Sequence, residues 1–381
     1  MHICFITNEY PKQNFPHGGI GTFIKVIANQ LVKLNHKVSV IGINNYTSRN
    51  EEETDAGVNV YRLKPKKLKG VTWLLHNISI NAKIKSINNE NVIDIVESAE
   101  LGLAFISKIK SIKYVIRLHG GHHFFSESEN RKVTWWKAYQ EKRSFRSSDG
   151  FIAVSNYVKS HTEKYLSYND KPLIVLSSPI NTELFTPNEN IIIDKNNITF
   201  VGTVCEKKGI RQLILAMGEL CKKHPNLKLN IYGRDWFFKN GESYIHMLNT
   251  NYSDIIKRCI IFHGAAPYNA MPSIYSKALV CVFPSHMETQ GLVALEAMLM
   301  EKAVIFTENG PGPELIIDKE NGLLCNPTDS QSIKEKIEWI INHPNERMKI
   351  ASKARDFAYK NYKLDHLTKK NIDFYNLLKS I

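Results

Sequence analysis

The chain has 381 residues, is 43% hydrophobic and 23% charged, and carries a net charge of +13. Its length suits two α/β domains of about 180 residues each better than one core. The composition excludes a disordered chain, and no apolar run approaches the ~20 residues of a membrane span.

Residues His2 to Thr7 lack the charged start and small-residue cleavage site of a signal peptide and read as a first strand. Alternation then continues, with strands expected at 37–43, 58–63, 92–96, 113–118 and 150–154 and helices near 20–35, 70–88, 99–110, 131–147 and 155–166. Such alternation implies a parallel, doubly wound sheet with helices on both faces. Pro172, Pro179 and Pro187 mark a linker. The pattern restarts with strands near 197–202, 227–232, 258–262, 279–283, 303–307 and 322–325. Helices are expected near 209–223, 241–252, 267–277, 291–301, 312–318, 330–342 and 344–361, then a last one from 363 to 380. The domains are expected at 1–185 and 186–362, facing each other across a cleft that is the default ligand site. Six scattered cysteines without a C-x-x-C read as reduced core residues of a cytosolic protein.

In the first half, Gly18-Gly19-Ile20-Gly21 opens a helix, where backbone can approach a phosphate or sugar closely. A dinucleotide fingerprint would need glycine where Ile24 stands and an acid near Asn44, so NAD binding is disfavoured. His119 ends a strand, a place where a histidine is either packed or functional. His122 and His123 follow, but Gly120-Gly121 breaks the helical spacing that metal binding with His119 would need. Residues 1–180 hold 25 Lys/Arg against 15 Asp/Glu, a net of +10, while residues 181–381 hold 25 against 22. The runs Arg62 to Lys69, before Trp73, and Arg131-Lys132, before Trp135-Trp136, set cations beside aromatics. That pattern suits either an anionic membrane surface or solvated loops around core tryptophans.

In the second half, Gly202-Thr203-Val204-Cys205-Glu206-Lys207-Lys208-Gly209 joins a strand to a helix. A lysine there opposes the helix dipole, and anion binding is a natural reason for it. Tyr232-Gly233-Arg234 and His263-Gly264-Ala265 each end a strand. Residues 279–301 read as strand, tight loop and helix: Leu279 to Phe283, a break at Pro284-Ser285, then apolar residues at helical spacing after Gly291. The backbone N–H groups of Gly291 and Leu292 can hold a phosphate. Glu288 in the loop and Glu296 in the helix can accept from sugar and ribose hydroxyls. Taken alone, the two glutamates read more readily as a solvated loop acid and an ordinary helix residue.

Their setting resembles the E-x7-E signature of retaining GT-B glycosyltransferases, in particular glycosyltransferase family 4, which includes bacterial polysaccharide and lipopolysaccharide enzymes. The usual form "PS-x-x-E-x-F-G-L-x-x-x-E-A" is matched from Pro284 to Leu292 and at Glu296-Ala297, with Gln290 for the Phe. Gly202 to Gly209 resembles "G-R-L-x-x-x-K-G", with Thr203 replacing the arginine, and Lys207 or Arg234 could supply the missing charge. Gly18-Gly19 resembles the family's glycine loop, His119 its active-site histidine, and Gly310 to Glu314 its "GG-x-P-E" turn, while Ser155 matches a position that is either a helix cap or a binding group.

The resemblance implies a GT-B fold of two Rossmann-like domains, the first taking the acceptor and the second the nucleotide-sugar, with residues 363–381 crossing back to the first. It implies retaining transfer of a sugar to a saccharide or lipid-linked saccharide in surface polysaccharide synthesis. The roles that follow are catalytic for His119, Glu288 and Lys208, and donor-binding for Gly19, Gly202, Thr203, Arg234, Gly264, Ala265, Gly291, Leu292 and Glu296. No D-x-D occurs, so neither metal nor cofactor is expected, and nucleic acid is not an expected partner. The expected location is cytoplasmic, with peripheral attachment to the membrane as an option. A GT-B epimerase and a non-catalytic membrane-surface protein are the alternatives.

Overall fold

Near-continuous apolar strands build both sheets, as parallel strands covered on two faces require. The computed structural model describes residues 1–381 apart from Asn14, Pro16, Asn45, Thr47, Asn130, Glu189 and the side chain of Ser128. Two compact units result, Met1–Pro179 with Leu364–Ile381, and Ile180–Lys363. The boundary falls earlier than 185 because Ile180 N–H donates to Tyr362 O at 3.1 Å and Phe185 packs against Tyr268 and Tyr275, all within the second unit.

The first unit holds β1 (His2–Ile6), β2 (Lys37–Ile43), β3 (Glu51–Asp55), β4 (Val58–Leu63), β5 (Ile95–Ser98), β6 (Lys113–Leu118), β7 (Gly150–Ala153) and β8 (Leu173–Val175). Their order is β3-β4-β2-β1-β5-β6-β7-β8, parallel except for the β3–β4 pair. The chain changes direction across the sheet at β1 and β5, so the loops after these strands flank the switch point where such sheets bind ligands. The second unit holds β9 (Asn197–Val201), β10 (Lys228–Tyr232), β11 (Ile260–Gly264), β12 (Val280–Phe283), β13 (Ala303–Thr307) and β14 (Leu323–Cys325). Its order β11-β10-β9-β12-β13-β14 is parallel throughout, with the switch point between β9 and β12.

Several expected elements are corrected. Residues 99–110 form no helix: Gly102, Ala104 and Ile106 close short turns, and Ser144 Oγ accepts from the Leu103 N–H at 3.1 Å, diverting it from a helical ladder. A short helix, His122–Ser128, follows the glycine pair, and the next begins at Trp135. Strand β8 lies in the expected linker, and residues 253–259 are helical ahead of β11.

The last helix, Leu364–Ser380, buries Leu367, Asn371, Phe374 and Leu378 on one face at helical spacing and packs within the first unit. Its anchor is polar as well as apolar. Buried Arg117 on β6 donates to Glu97 at 2.7 and 3.2 Å and to the Asn371 carboxamide, while the Tyr375 hydroxyl donates to Glu97 at 2.6 Å.

Candidate active site

In the second unit, the loops after β9 and β12 are forced together by two close contacts. Gly209 adopts φ +70°, and a Cβ there would lie 1.9 Å from Pro284 O, so only glycine fits. The His286 N–H also donates to Lys207 O at 2.9 Å. These contacts bring Lys208 onto Glu288: its ammonium donates to Glu288 Oε1, which also accepts from Ser285 Oγ at 2.9 Å. The side chains are 23% and 12% exposed, so the pair is partly withdrawn from water. Among the described residues, Glu288 Oε2 accepts no hydrogen bond. Three residues later Gly291, at φ +87°, opens the helix Leu292–Leu299; the Ala294 N–H donates to Gly291 O at 3.0 Å, so the amides ahead of it, Leu292 and Val293, are the ones without an intrahelical acceptor. A cation, a carboxylate with a spare oxygen and a helix start therefore share one switch point.

Glu296 lies one turn into that helix and is buried. Tyr275 donates to its Oε2 at 2.9 Å and Tyr268 also reaches it; burial pushes its pKa up to about 7 against these two phenols. No sequence signal tied the phenols to this carboxylate. Gly202, at φ +147°, donates its N–H to Tyr232 O at 2.9 Å, and a Cβ on Gly233 would meet Gly202 O at 1.8 Å. Thr203 is half-buried beside this contact, and the Val204 N–H donates to Arg234 O at 2.9 Å. The exposed Arg234 side chain has no ion-pair partner among the described residues, and its backbone is joined to the residue after Thr203. Gly264 and Ala265 are exposed at the end of β11, beside a flat stack of Tyr232 on His263 with ring centres 4.3 Å apart.

In the first unit, exposed Gly19 begins the helix Gly19–Lys33, and the Gly18 N–H donates to Glu9 Oε2 at 3.1 Å. That helix brings Phe23 within 5.4 Å of the His119 ring and 4.6 Å of the Arg117 guanidinium. Burial, and then the charge of Arg117, lowers the His119 pKa to about 3, so the imidazole is neutral. Glu141 accepts from the His122 and His123 N–H groups and from the His123 ring, fixing the segment after the glycines. Glu100 lies beneath, fully buried; burial pushes its pKa up to about 8. Neither acid was singled out in the sequence. Ser155 caps the helix Asn156–Glu163 by accepting from the Val158 N–H at 3.1 Å. Arg62 does not belong to the exposed basic run: it is buried against Glu53, Tyr10 O and Pro11 O. Among the described residues, no group of three His, Cys, Asp or Glu side chains is arranged to hold a metal, and no helix is long and apolar enough to cross a membrane.

Residues 17–184 match the family described as Glycosyltransferase Family 4, and residues 181–357 match Glycosyl transferases group 1. The chain is a family 4 glycosyltransferase of the GT-B fold. The glycosyltransferase is 26% identical to an uncharacterized glycosyltransferase of Methanocaldococcus jannaschii, over 99% of this chain and 98% of that one. It is 21% identical to the GDP-mannose-dependent α-(1-6)-phosphatidylinositol monomannoside mannosyltransferase of Mycolicibacterium smegmatis, over 94% of each. It is also 29% identical to the lipopolysaccharide 1,2-N-acetylglucosaminetransferase of Salmonella typhimurium, over 48% of each. Sucrose-phosphate synthase from Thermosynechococcus elongatus shares the fold with a TM-score of 0.86 and 18% identity, over 100% of this chain and 99% of that one. Anabaena HepE in complex with UDP-glucose does so with a TM-score of 0.77 and 17% identity, over 99% of each.

Proposed function

We propose that this enzyme moves a hexosyl unit from a nucleotide-sugar to a hydroxyl of a saccharide acceptor, with retention, in the assembly of a surface polysaccharide or lipopolysaccharide. The observation that carries this reading is the convergence of Lys208, Glu288 and Ser285 beside the helix start at Gly291. Lys208 and the first-turn amides stabilise the leaving diphosphate, and Glu288 Oε2 orients the sugar through its hydroxyls. Arg234 supplies the guanidinium that Thr203 lacks. His119, held neutral, donates or accepts a hydrogen bond at the sugar.

The acceptor oxygen bonds to the anomeric carbon on the face from which the phosphate departs, and the acceptor proton passes to that phosphate oxygen. No protein nucleophile enters, and the positive charge comes from side chains and amides, so activity is expected to survive chelation of divalent cations. Donors named for related proteins, GDP-mannose and UDP-glucose, support a nucleotide-sugar as the class. Six buried free thiols support a cytoplasmic setting.

The test is incubation with UDP-, GDP- and ADP-sugars and short saccharides, with the product's anomeric configuration read by NMR. Consumption of one donor class with the donor's anomeric configuration kept is expected. An inverted product would sink retention, and no consumption of any donor would sink the transferase assignment for these sugars.

A further inference from the structure

Two segments distant in sequence form one surface of the first unit. The loop 64–71 folds over the start of the helix Thr72–Glu90, where the Thr72 hydroxyl donates to Leu68 O at 2.8 Å. Trp73 on that helix lies 5.2 Å from Trp136 and 4.5 Å from Phe105. From Trp136 the aromatic run continues to Tyr139 at 5.7 Å, and from Tyr139 to Trp135 at 5.9 Å. Trp73 and Trp136 are half-buried and form the floor, whereas Trp135 is 76% exposed and Leu68 58%. Val71, Leu74, Ile78, Val133 and Tyr139 are exposed as well. Scattered exposed apolar residues need no explanation, but a joined group rimmed by charge marks an interaction surface.

The rim is basic. Lys64, Lys67, Lys69 and Lys132 are exposed and have no ion-pair partner among the described residues; Arg131 is paired with Glu129 at 2.5 Å. We infer that this surface docks on an anionic lipid bilayer, with Trp135 and Leu68 entering the headgroup region and the lysines lying at lipid phosphates. Tryptophan and tyrosine favour that depth, and lysine stems reach outward from it to the charge. A nucleic acid backbone would satisfy the lysines but leave Leu68, Leu74 and Ile78 in water. The inference rests on the first unit's surface alone and stands apart from the assignment of the transfer reaction.

Each lysine near an anionic surface is worth about a fivefold change in partitioning, so three together are worth on the order of a hundredfold, and the attraction fades within a Debye length. The experiment is sedimentation of the full chain with vesicles of phosphatidylglycerol and phosphatidylcholine, and with phosphatidylcholine alone, at low and high salt. Thermal melts establish that each variant is folded. Binding to the anionic vesicles at low salt, lost at high salt and weak on neutral vesicles, is expected. The Lys64→Ser, Lys67→Ser, Lys69→Ser triple variant is expected to bind roughly a hundredfold more weakly by the same estimate. Lys67→Ser alone serves if the triple variant does not fold. Trp135→Ser is expected to weaken binding and Trp135→Phe to retain most of it. Absence of sedimentation at low salt, or unchanged binding by these variants, would overturn the inference. So would equally tight capture by heparin or duplex DNA that is indifferent to Trp135→Ser, which would make the surface a soluble-polyanion site.

Discussion

Glu288→Gln is expected to tighten binding of a free nucleoside diphosphate while slowing transfer. Without ligand, the Lys208 ammonium is held by Glu288. A diphosphate that uses Lys208 must draw the ammonium away from the carboxylate or share it. Exposed pairs are worth less than about 1 kcal/mol, and breaking fully buried ones costs about 3–5 kcal/mol. With the side chains 23% and 12% exposed, this pair falls between those limits. A contribution of about 1–2 kcal/mol corresponds to roughly a 5- to 30-fold gain in affinity for UDP or GDP. The same substitution removes a charged acceptor for a sugar hydroxyl, a bond worth about 1.5–3 kcal/mol, so turnover should fall about ten- to hundredfold. Calorimetric titration of the wild type, Glu288→Gln, Lys208→Met and the double variant separates these effects. The affinity gain should vanish in the Lys208→Met background. A Glu288→Gln protein that binds the nucleotide no more tightly, or a gain that persists without Lys208, would refute competition at this pair.

Glu100→Gln should stabilise the protein increasingly as pH rises. The unfolded carboxyl ionises near its ordinary 4.5 while the buried one keeps its proton to about 8, so wild-type stability falls across that window and levels off above it. Urea unfolding at about pH 5, 7 and 9 should show the difference growing to a few kcal/mol, and a pH-independent difference would argue against a buried neutral acid. Tyr375→Phe should cost about 1–2 kcal/mol by removing its hydrogen bond to Glu97, and Arg117→Met about 3–5 kcal/mol by leaving Glu97 a buried, poorly paired charge. Chemical denaturation checks both, and a neutral Arg117→Met would mean that the terminal helix is held by its apolar face alone.

The parallel strands were legible because each is a short apolar run between turn signals, and β1, β5 and β7 are buried along their whole length. Strand β3 was not, since Glu51 to Asp55 is polar throughout and pairs only at an exposed antiparallel edge. The apolar spacing of 99–110 suggested a helix, yet Leu103 and Ala104 are buried by turns tied to Ser144 and Arg143. At the site, Glu288 and Lys208 stood out through their local settings. Their mutual contact did not, because it depends on Gly209 pressing against Pro284 from a different loop. The phenols on Glu296 were equally hidden, since Tyr268 and Tyr275 reach it from the preceding helical segment.

The unit that contains the first residue also contains the last, with Ile180–Lys363 lying between its two parts. A ribosome therefore releases the whole of the second unit before it releases residues 364–381. Until then the earlier sheet must wait with Arg117 and Glu97 paired to each other but lacking the Asn371 carboxamide and the Tyr375 hydroxyl. Ile180 and Lys363 pair as neighbours, so the waiting segment leaves the finished unit beside the point where the chain entered it. Vectorial synthesis thus reverses the usual sequence, and the unit made first is the last to have its full set of partners.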